Sequence, residues 1–448
     1  MPIRVAIIGS GPAGFYTASA LQRVYETCEI DIIERLPTPY GLIRGGVAPD
    51  HQTTKRVAKK FEKTALLDEV NYYGNVEINA DVSLSELRGL YDAVVLAIGA
   101  PNDRKLTIPG ADKHGVYGSA AFVGWYNGHP DFRDLEPDLG FETAVVIGNG
   151  NVAVDCARVL LRSHEGMATT DLPDHVRDAI DRAPIADVHL LGRRGPAEAS
   201  FTNVELRELG VMIETEPRVR AEQIPADVET ALASYESRER RVRERNLSTL
   251  QNYAQRPAGE KPKRLHIEFY ASPIEVLGDG RVEALRCERT QVSDGRAQGT
   301  GEFFEISCGL VIAAIGYRAD RMDGAPYDET RGIIPNQEGK VEPGLYVVGW
   351  IKRGPSGVIS SNRPDGEIVA KQIHEDFAPD GDPPKTGRQG LEQLLNQRDK
   401  SWINFDDWQR LEALEEAAAD EAAPRRKFVT VEDMLDALNA DEGESNNE

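Results

Sequence analysis

Cysteine is scarce in this chain: four residues in 448, Cys28, Cys156, Cys287 and Cys308, with no Cys-x-x-Cys pair among them. That scarcity excludes a redox-active dithiol of that spacing, an on-board iron–sulfur cluster held by clustered thiolates, and the disulfide framework of a small secreted domain. It fits a reducing cytoplasm, and no metal site is expected. Apolar runs of membrane-spanning length are also missing. The first apolar strand begins almost at Met1, so neither a signal nor a transit segment is expected ahead of it. Basic residues are outnumbered, 52 Lys and Arg against 74 Asp and Glu, for a formal net charge of −22. That balance, with no aromatics interleaved among the basic residues, argues against nucleic-acid binding.

Hydrophobic residues make up 40% of the sequence, enough for two or three domains with cores of their own. Arg4 to Ile8 is a short apolar run that suits a strand buried on both faces of a parallel sheet. It ends at Gly9-Ser10-Gly11-Pro12-Ala13-Gly14, and a pattern rich in small residues from Phe15 to Val24 follows as a helix. In such a fingerprint the first glycine makes the turn, the second lets backbone approach a pyrophosphate, and the third lets helix pack on strand. The helix N-terminus then presents unpaired N–H groups to the phosphates. A second apolar strand, Glu29 to Ile33, ends at Glu34, 20 residues past Gly14. That is close to the spacing at which a carboxylate grips ribose hydroxyls, which makes Gly9, Gly11, Gly14 and Glu34 candidate ligands of a nucleotide.

The pattern recurs with a change of sign. Thr143 to Ile147 runs into Gly148-Asn149-Gly150-Asn151-Val152-Ala153, and Asp155 to Leu161 continues as helix. The next strand, Val188 to Leu191, ends in Gly192-Arg193-Arg194 rather than in an acid. A carboxylate would repel a ribose 2′-phosphate and an arginine pair would bind it, so this site is expected to select NADP(H) over NAD(H). The alternative for the pair is a solvated turn. Between the two strands, Arg162–Pro184 is longer than a minimal crossover, and its Asp, Pro and Thr content reads as a surface insertion. Two unlike nucleotide sites in one chain suggest a relay, in which one nucleotide passes electrons to another.

Three further apolar runs end in glycine: Tyr91 to Ala100, Leu310 to Tyr317, and Gly344 to Trp350. Ligands of doubly wound sheets sit beyond such strand ends. The third run is followed by Gly354-Pro355-Ser356-Gly357-Val358-Ile359, whose helix-start amides could face a flavin ring. Trp350 packs near that ring or is an ordinary core tryptophan.

Several longer motifs carry a resemblance. They are Leu36-Pro37-Thr38-Pro39-Tyr40-Gly41-Leu42-Ile43-Arg44, Gly46-Val47-Ala48-Pro49-Asp50-His51, Ile147 to Ala153, Gly192-Arg193-Arg194-Gly195-Pro196, Glu205-Leu206-Arg207-Glu208-Leu209, and Val348-Gly349-Trp350-Ile351-Lys352-Arg353-Gly354-Pro355. Over roughly residues 3 to 375 the chain resembles adrenodoxin reductase and the related bacterial NADPH–ferredoxin reductases. The tail beyond about residue 380 is not placed by the resemblance. What it implies is an α/β fold of two Rossmann-like dinucleotide-binding domains, glutathione-reductase-like, with the NADP domain inserted into the FAD domain. The expected FAD domain is 1–108 with 319–448, and the expected NADP domain is 109–318. By motif position, Ala13, Glu34, Leu42, Val76 and Trp350, with Gly357, Val358 and Ile359, would contact FAD. Asn149, Gly150, Asn151, Val152, Arg193, Arg194 and Glu205 would contact NADP, with Gly357 near the nicotinamide and Arg104 near the cofactor. His51 and Glu205 resemble the family's polar pair at the reaction centre. From the residues alone, His51 reads equally as a helix-start histidine with a structural bond, and Glu205 as a surface acid of a charged helix.

Hydride transfer is cofactor chemistry, in which protein orients nicotinamide against flavin and excludes water. No side-chain nucleophile is needed. With no thiol pair or cluster on board, the second electron carrier must come from outside. The expectation is hydride transfer from NADPH to FAD and single-electron delivery to a ferredoxin. A diaphorase, quinone reductase or flavin monooxygenase is the enzyme alternative, and an NADP-binding redox sensor the non-enzyme one. The net charge opposes an acidic ferredoxin at long range. Two features ease this: residues 412–448 carry 12 acids and 3 bases, and the helix-like stretch Thr54 to Thr64 carries Lys55, Arg56, Lys59, Lys60 and Lys63 on one face, with Val57, Ala58 and Phe61 turned inward. That face is a ferredoxin-docking candidate or a plain solvated face. The oligomeric state is open, with a slight preference for a monomer. Residues 378–390 read as a linker, 405–423 and 430–440 as helices, and Asp441 to Glu448 as disordered.

Overall fold

Apolar residues line both faces of two parallel sheets, and each sheet is the centre of its own unit. The structure is a computed structural model and describes residues 2–257, 259–377 and 385–445. Its contacts divide the chain into a first unit, Met1–Asn102 with Asn127–Pro130 and Tyr317–Glu448, and a second unit, Asp103–Tyr126 with Asp131–Gly316.

The first unit's sheet runs in the order Lys340–Glu342, Leu345–Val347, Ala93–Leu96, Ile3–Ile8, Cys28–Ile33, Val70–Tyr73. All neighbours are parallel except the Lys340–Glu342 edge. Strand side chains alternate between faces, so Val5 and Ile7 enter one core and Ala6 and Ile8 the other. Helix Pro12–Val24 crosses helix Asn362–Asp376 so closely that a Cβ on Gly366 would stand 2.8 Å from the Thr17 nitrogen.

The second unit's sheet is wholly parallel, in the order Val116–Gly118, Leu310–Ala313, Thr143–Ile147, Asp187–Leu191, Lys263–Glu268, Thr215–Val219. An antiparallel sheet of Ala271–Leu277, Ala284–Ser293 and Arg296–Ser307 joins it through a shared core containing Val145, Ile147, Leu285 and Val311. No helix among the described residues is long and apolar enough to cross a membrane.

Several expectations need correction. Arg162–Pro184 is not a surface insertion: it forms helices His164–Met167 and Asp174–Arg182, and Met167, Leu172, Val176 and Ile180 join the core. Of the polar residues that suggested a loop, Asp178 and Asp181 lie on the exposed side of the second helix, whereas Thr170 and Asp171 are themselves buried. The basic stretch is two helices, Gln52–Lys55 and Ala58–Ala65. Between them the hydrogen bonds tighten to three-residue steps, Val57 to Thr54, Lys59 to Arg56 and Lys60 to Val57, which rotates the face. Arg56, Lys59, Lys60 and Lys63 stay exposed, with the Lys60 ammonium 4.6 Å from the centre of the Tyr16 ring, and Lys55 is half-buried.

The two helices expected near the C-terminus are present, and a third precedes them. Helices Arg388–Gln397, Phe405–Ala417 and Val431–Ser445 follow one another, so helix begins inside the expected linker and continues past residue 440. Phe405, Trp408, Leu411, Met434 and Leu438 belong to the first unit's core. Residues 378–384 of the expected linker and the last three residues of the expected disordered end lie outside the described residues.

Candidate functional site

Each unit carries a glycine turn at the end of a central strand. In the first, Gly9 has φ of +105°, and a Cβ there would stand 2.6 Å from the Ala97 carbonyl oxygen, so both conformation and space require glycine. A Cβ on Gly14 would meet the Gly9 oxygen at 2.1 Å, which is how closely helix Pro12–Val24 sits on its strand, whereas one on Gly11 would meet nothing within 4 Å. The helix has Gly11 at its N-cap, no side-chain cap and no acid in its first turn. Some other helices are capped, by Ser83, Thr202 and Asn404, and others are not. First-turn amides without a side-chain cap, behind an open glycine, are what a pyrophosphate needs.

Glu34 stands at that opening. Its carboxylate accepts from the Ser10 amide at 3.0 Å, the Ser10 hydroxyl at 2.8 Å and the Leu36 amide at 3.3 Å. The acid is therefore locked beside the fingerprint turn, where ribose hydroxyls can reach it. Val76 donates its amide to the Glu34 carbonyl at 2.9 Å and buries its side chain in the core. Leu42, 43% exposed, follows Gly41, and a Cβ on Gly41 would be 3.0 Å from Gly11 Cα. Ala13 packs under Gly349, whose added Cβ would be 2.7 Å from the Ala13 Cβ, so the Trp350 segment also borders the fingerprint.

Trp350 begins helix Trp350–Arg353, donates Nε1 to the Ser356 carbonyl at 3.2 Å and packs on Tyr317 at 5.7 Å between ring centres. Gly357 has φ of +85° and Val358 is 59% exposed. The helix-start expected at Gly354 to Ile359 is displaced: that stretch is loop, closed by a short 3-10 turn at Ile359–Ser361 before helix Asn362–Asp376. Asp365, which the sequence did not single out, organises this region from a buried position. It accepts from the Gly349 amide at 3.2 Å and from Lys352 Nζ at 2.9 Å, and it pairs with Arg353. His51 is the N-cap of helix Gln52–Lys55 and is half-buried, with its amide on the Ala48 carbonyl at 3.0 Å.

The second unit repeats the turn with different chemistry. Gly148 has φ of +139°, and a Cβ there would be 2.3 Å from the Ala314 oxygen. Helix Asn151–Leu161 again has a glycine N-cap, Gly150, with no side-chain cap and no acid in the first turn, and Val152 is half-buried in that turn. At the end of Asp187–Leu191, the Arg193 carbonyl accepts from Thr290 Oγ1 at 2.7 Å and the Arg194 carbonyl from the Tyr270 amide at 3.1 Å. The backbone is pinned while both side chains are exposed, and neither guanidinium has an ion-pair or hydrogen-bond partner among the described residues. In a chain with this many acids, two unpaired arginines side by side are suited to an outside anion.

Asn149 covers Gly192, and its Oδ1 is buried without a hydrogen-bond partner. Asn151 Oδ1 accepts from the Thr202 amide at 2.8 Å, and Thr202 caps helix Asn203–Leu209, which carries Glu205. Arg158, also missed from the sequence, has no exposed side-chain surface and reaches Asp155 at 2.7 Å, Glu205 at 3.1 Å and Glu208 at 3.4 Å. Its only sequence signal is a charge in the middle of an apolar helix, Asn-Val-Ala-Val-Asp-Cys-Ala-Arg-Val-Leu-Leu. Arg104 is exposed and donates its amide to the Gly316 carbonyl at 3.0 Å.

All four cysteines are free and buried. Burial pushes the Cys28 thiol up to about 11 and the Cys287 and Cys308 thiols up to about 12, and raises Cys156 as well. Thiolate is suppressed at each, which disfavours a role as redox nucleophile.

Known proteins resemble this chain over nearly its whole length. A family profile described as pyridine nucleotide-disulphide oxidoreductase matches residues 3–361. The chain is 40% identical to the mitochondrial NADPH:adrenodoxin oxidoreductase of Arabidopsis thaliana, across 97% of this chain and 95% of that protein. It is 38% identical to the NADPH-ferredoxin reductase FprA of Mycobacterium tuberculosis, across 97% and 98%. The solved structure of Mycobacterium tuberculosis FprA in complex with NADPH superposes with a TM-score of 0.93 at 37% identity, covering 98% of this chain and all of that one. The similarity therefore runs through the C-terminal segment and does not stop near residue 375.

Proposed function

Because the chain belongs to the pyridine nucleotide-disulphide oxidoreductase family, we propose that it is an FAD-dependent NADPH–ferredoxin oxidoreductase. The first unit holds FAD and the second holds NADPH. Bound FAD supplies the conversion from a two-electron hydride donor to one-electron delivery. The observation that carries the reading is the contrast at matched strand ends, Glu34 locked by Ser10 in one unit and unpaired Arg193 and Arg194 in the other.

The residues have distinct tasks. Gly9, Gly11 and Gly14 bring the first helix N-terminus to the FAD pyrophosphate, and Glu34 takes the adenosine ribose. Leu42, Val76, Trp350 and the Gly357–Ile359 loop shape the rest of that cradle. Asn149 to Val152 receive the NADPH pyrophosphate, Arg193 and Arg194 the 2′-phosphate, and Glu205 the nicotinamide end. His51 holds or moves a proton beside the flavin. The disulphide chemistry in the family's description has no counterpart here, because the four thiols are buried and unpaired. Electrons leave for a separate iron–sulfur carrier, with Lys55, Arg56, Lys59, Lys60 and Lys63 as the docking face. The unpaired thiols also favour a reducing cytoplasm.

Stopped-flow mixing tests the reading. NADPH is expected to bleach the oxidised-flavin band of the purified protein, and a ferredoxin is expected to restore it. Failure to bleach removes the proposal, and faster reoxidation by quinone or oxygen than by any ferredoxin replaces it with a diaphorase or a monooxygenase.

A further inference from the structure

Leu42 stands on a loop that is held by the far end of the chain. Tyr40 has φ of +81°, a left-handed backbone that a bulky residue keeps only where its surroundings impose it. Its amide donates to the Ser10 carbonyl at 3.1 Å, and Gly41 abuts Gly11. One side of the loop is thus pressed on the first fingerprint.

The other side is pressed on helix Phe405–Ala417. Trp408, 1% exposed, meets the Tyr40 ring edge-on at 5.9 Å and lies 5.3 Å from the Arg44 guanidinium. Arg44 forks onto Glu415: Nη1 is 2.8 Å from Oε2, and Nη2 bonds Oε1. The Glu415 side chain has no exposed surface. It also accepts from the Phe428 amide at 2.9 Å and lies 3.5 Å from Arg425. Lys427, 7% exposed, donates to the carbonyls of Arg44 at 3.4 Å and Asn127 at 3.1 Å. A fork with two parallel bonds fixes position and rotation together, which one ammonium or one amide does not. Removing one partner of a pair this deep leaves the other charge buried and uncompensated.

We infer that Glu415 is a positioning residue for flavin binding: acting through Arg44, with Trp408 beside it, it sets the Tyr40–Gly46 backbone against Gly11, so that the C-terminal helix completes the FAD cradle. The inference rests on FAD occupying the first unit, as proposed above. In Glu415→Gln the two-bond acceptor loses its charge, Arg44 is no longer clamped, and the strained Tyr40 turn can relax away from Gly11.

The experiment measures FAD release from the holoprotein by the rise of free-flavin fluorescence after dilution, with the visible flavin spectrum and the Tm recorded for each variant. Glu415→Gln and Arg44→Lys are expected to release FAD at least about tenfold faster than the unaltered protein and to lose resolution in the flavin band. Tyr91→Phe is the control: it removes the buried 2.8 Å bond to Asp31 in the same unit, away from the loop, and is expected to lower Tm while leaving release within about twofold. Release from Glu415→Gln and Arg44→Lys within twofold of the unaltered protein overturns the inference. So does acceleration in Tyr91→Phe that matches theirs for the same loss of Tm. Should Glu415→Gln fail to fold, Arg44→Lys decides. An unaltered protein that carries no FAD defeats the proposed function instead, and that outcome is read before any variant is made.

Discussion

The guanidinium of Arg158 meets the Glu205 carboxylate at 3.1 Å from a fully buried position on the helix of the second fingerprint. One cation there ties Asp155, Glu205 and Glu208 together, and so links the helix of the second fingerprint to the helix that carries Glu205. Removing one partner of a buried ion pair typically costs about 3–5 kcal/mol. Arg158→Met is therefore expected to lower the Tm by several degrees and to raise KM for NADPH more than it lowers kcat, because Glu205 stays in the molecule but loses its anchor. Steady-state kinetics at several NADPH concentrations check this. A fall in kcat at unchanged KM would mean that Arg158 serves the chemical step instead.

Arg193 and Arg194 are expected to set nucleotide choice. A hydrogen bond to a charged group contributes about 1.5–3 kcal/mol, which is roughly 10- to 100-fold in affinity. Replacing each with Ala should raise KM for NADPH by that order, leave KM for NADH nearly unchanged, and weaken the salt dependence of NADPH binding. Parallel loss with both nucleotides would show that the pair holds structure rather than the 2′-phosphate.

Much of this was readable in advance because the cradles are local. Gly9 and Gly148 announce themselves by position after an apolar strand, and Glu34 and Arg193 by position after the next one. What the sequence hid is what depends on distant partners. Arg158 reads as one helical charge until Glu205 and Glu208 fold against it, and Glu415 reads as one acid in an acidic stretch until Arg44 reaches it across 371 positions. Composition misleads at Arg162–Pro184, where exposed polar residues of helix Asp174–Arg182 mask Val176 and Ile180 on its other side.

Acid should weaken the second unit before it weakens any ion pair that needs pH below 4. Burial, followed by the neighbouring His266 and Arg220 and opposed by Asp187, holds His189 down to about 4. Burial and Arg133 hold His175 down to about 4 as well. The native state refuses protons that the unfolded chain accepts near pH 6.5, so the stability these groups contribute is complete above that pH and is lost as pH falls toward 4. Asp187 adds a later loss: burial would raise it, but hydrogen bonds from Arg264 and His266 outweigh burial and hold it down to about 2. Calorimetry between pH 7 and 4.5 is expected to show a falling Tm, with each histidine contributing roughly 1–2 kcal/mol. The double variant His175→Gln, His189→Gln should flatten that slope, and an unchanged slope would falsify the assignment.

The sign of the salt effect on ferredoxin reduction separates two opposing fields. The chain's net charge of −22 repels an acidic partner over a range that shrinks to about 10 Å at 0.1 M salt, whereas Lys55, Arg56, Lys59, Lys60 and Lys63 attract it locally. The C-terminal acids bear on this balance less than their number suggests. Glu415 is buried against Arg44 and Arg425, Glu412 pairs with Arg425 at 2.8 Å, and Asp441 pairs with Arg410 at 2.9 Å. Paired acids project little field, so the exposed lysines are expected to win at close approach. The rate of ferredoxin reduction should then fall as salt rises from 0.05 to 0.5 M, roughly tenfold or more at this charge density. Lys55→Gln, Lys59→Gln and Lys63→Gln together should remove most of that fall without altering flavin bleaching by NADPH. Lys60→Gln should change the salt slope less than Lys59→Gln, because its ammonium lies over the Tyr16 ring instead of standing free. A rate that rises with salt, in a protein whose lysines are intact, would place the docking face elsewhere on the molecule.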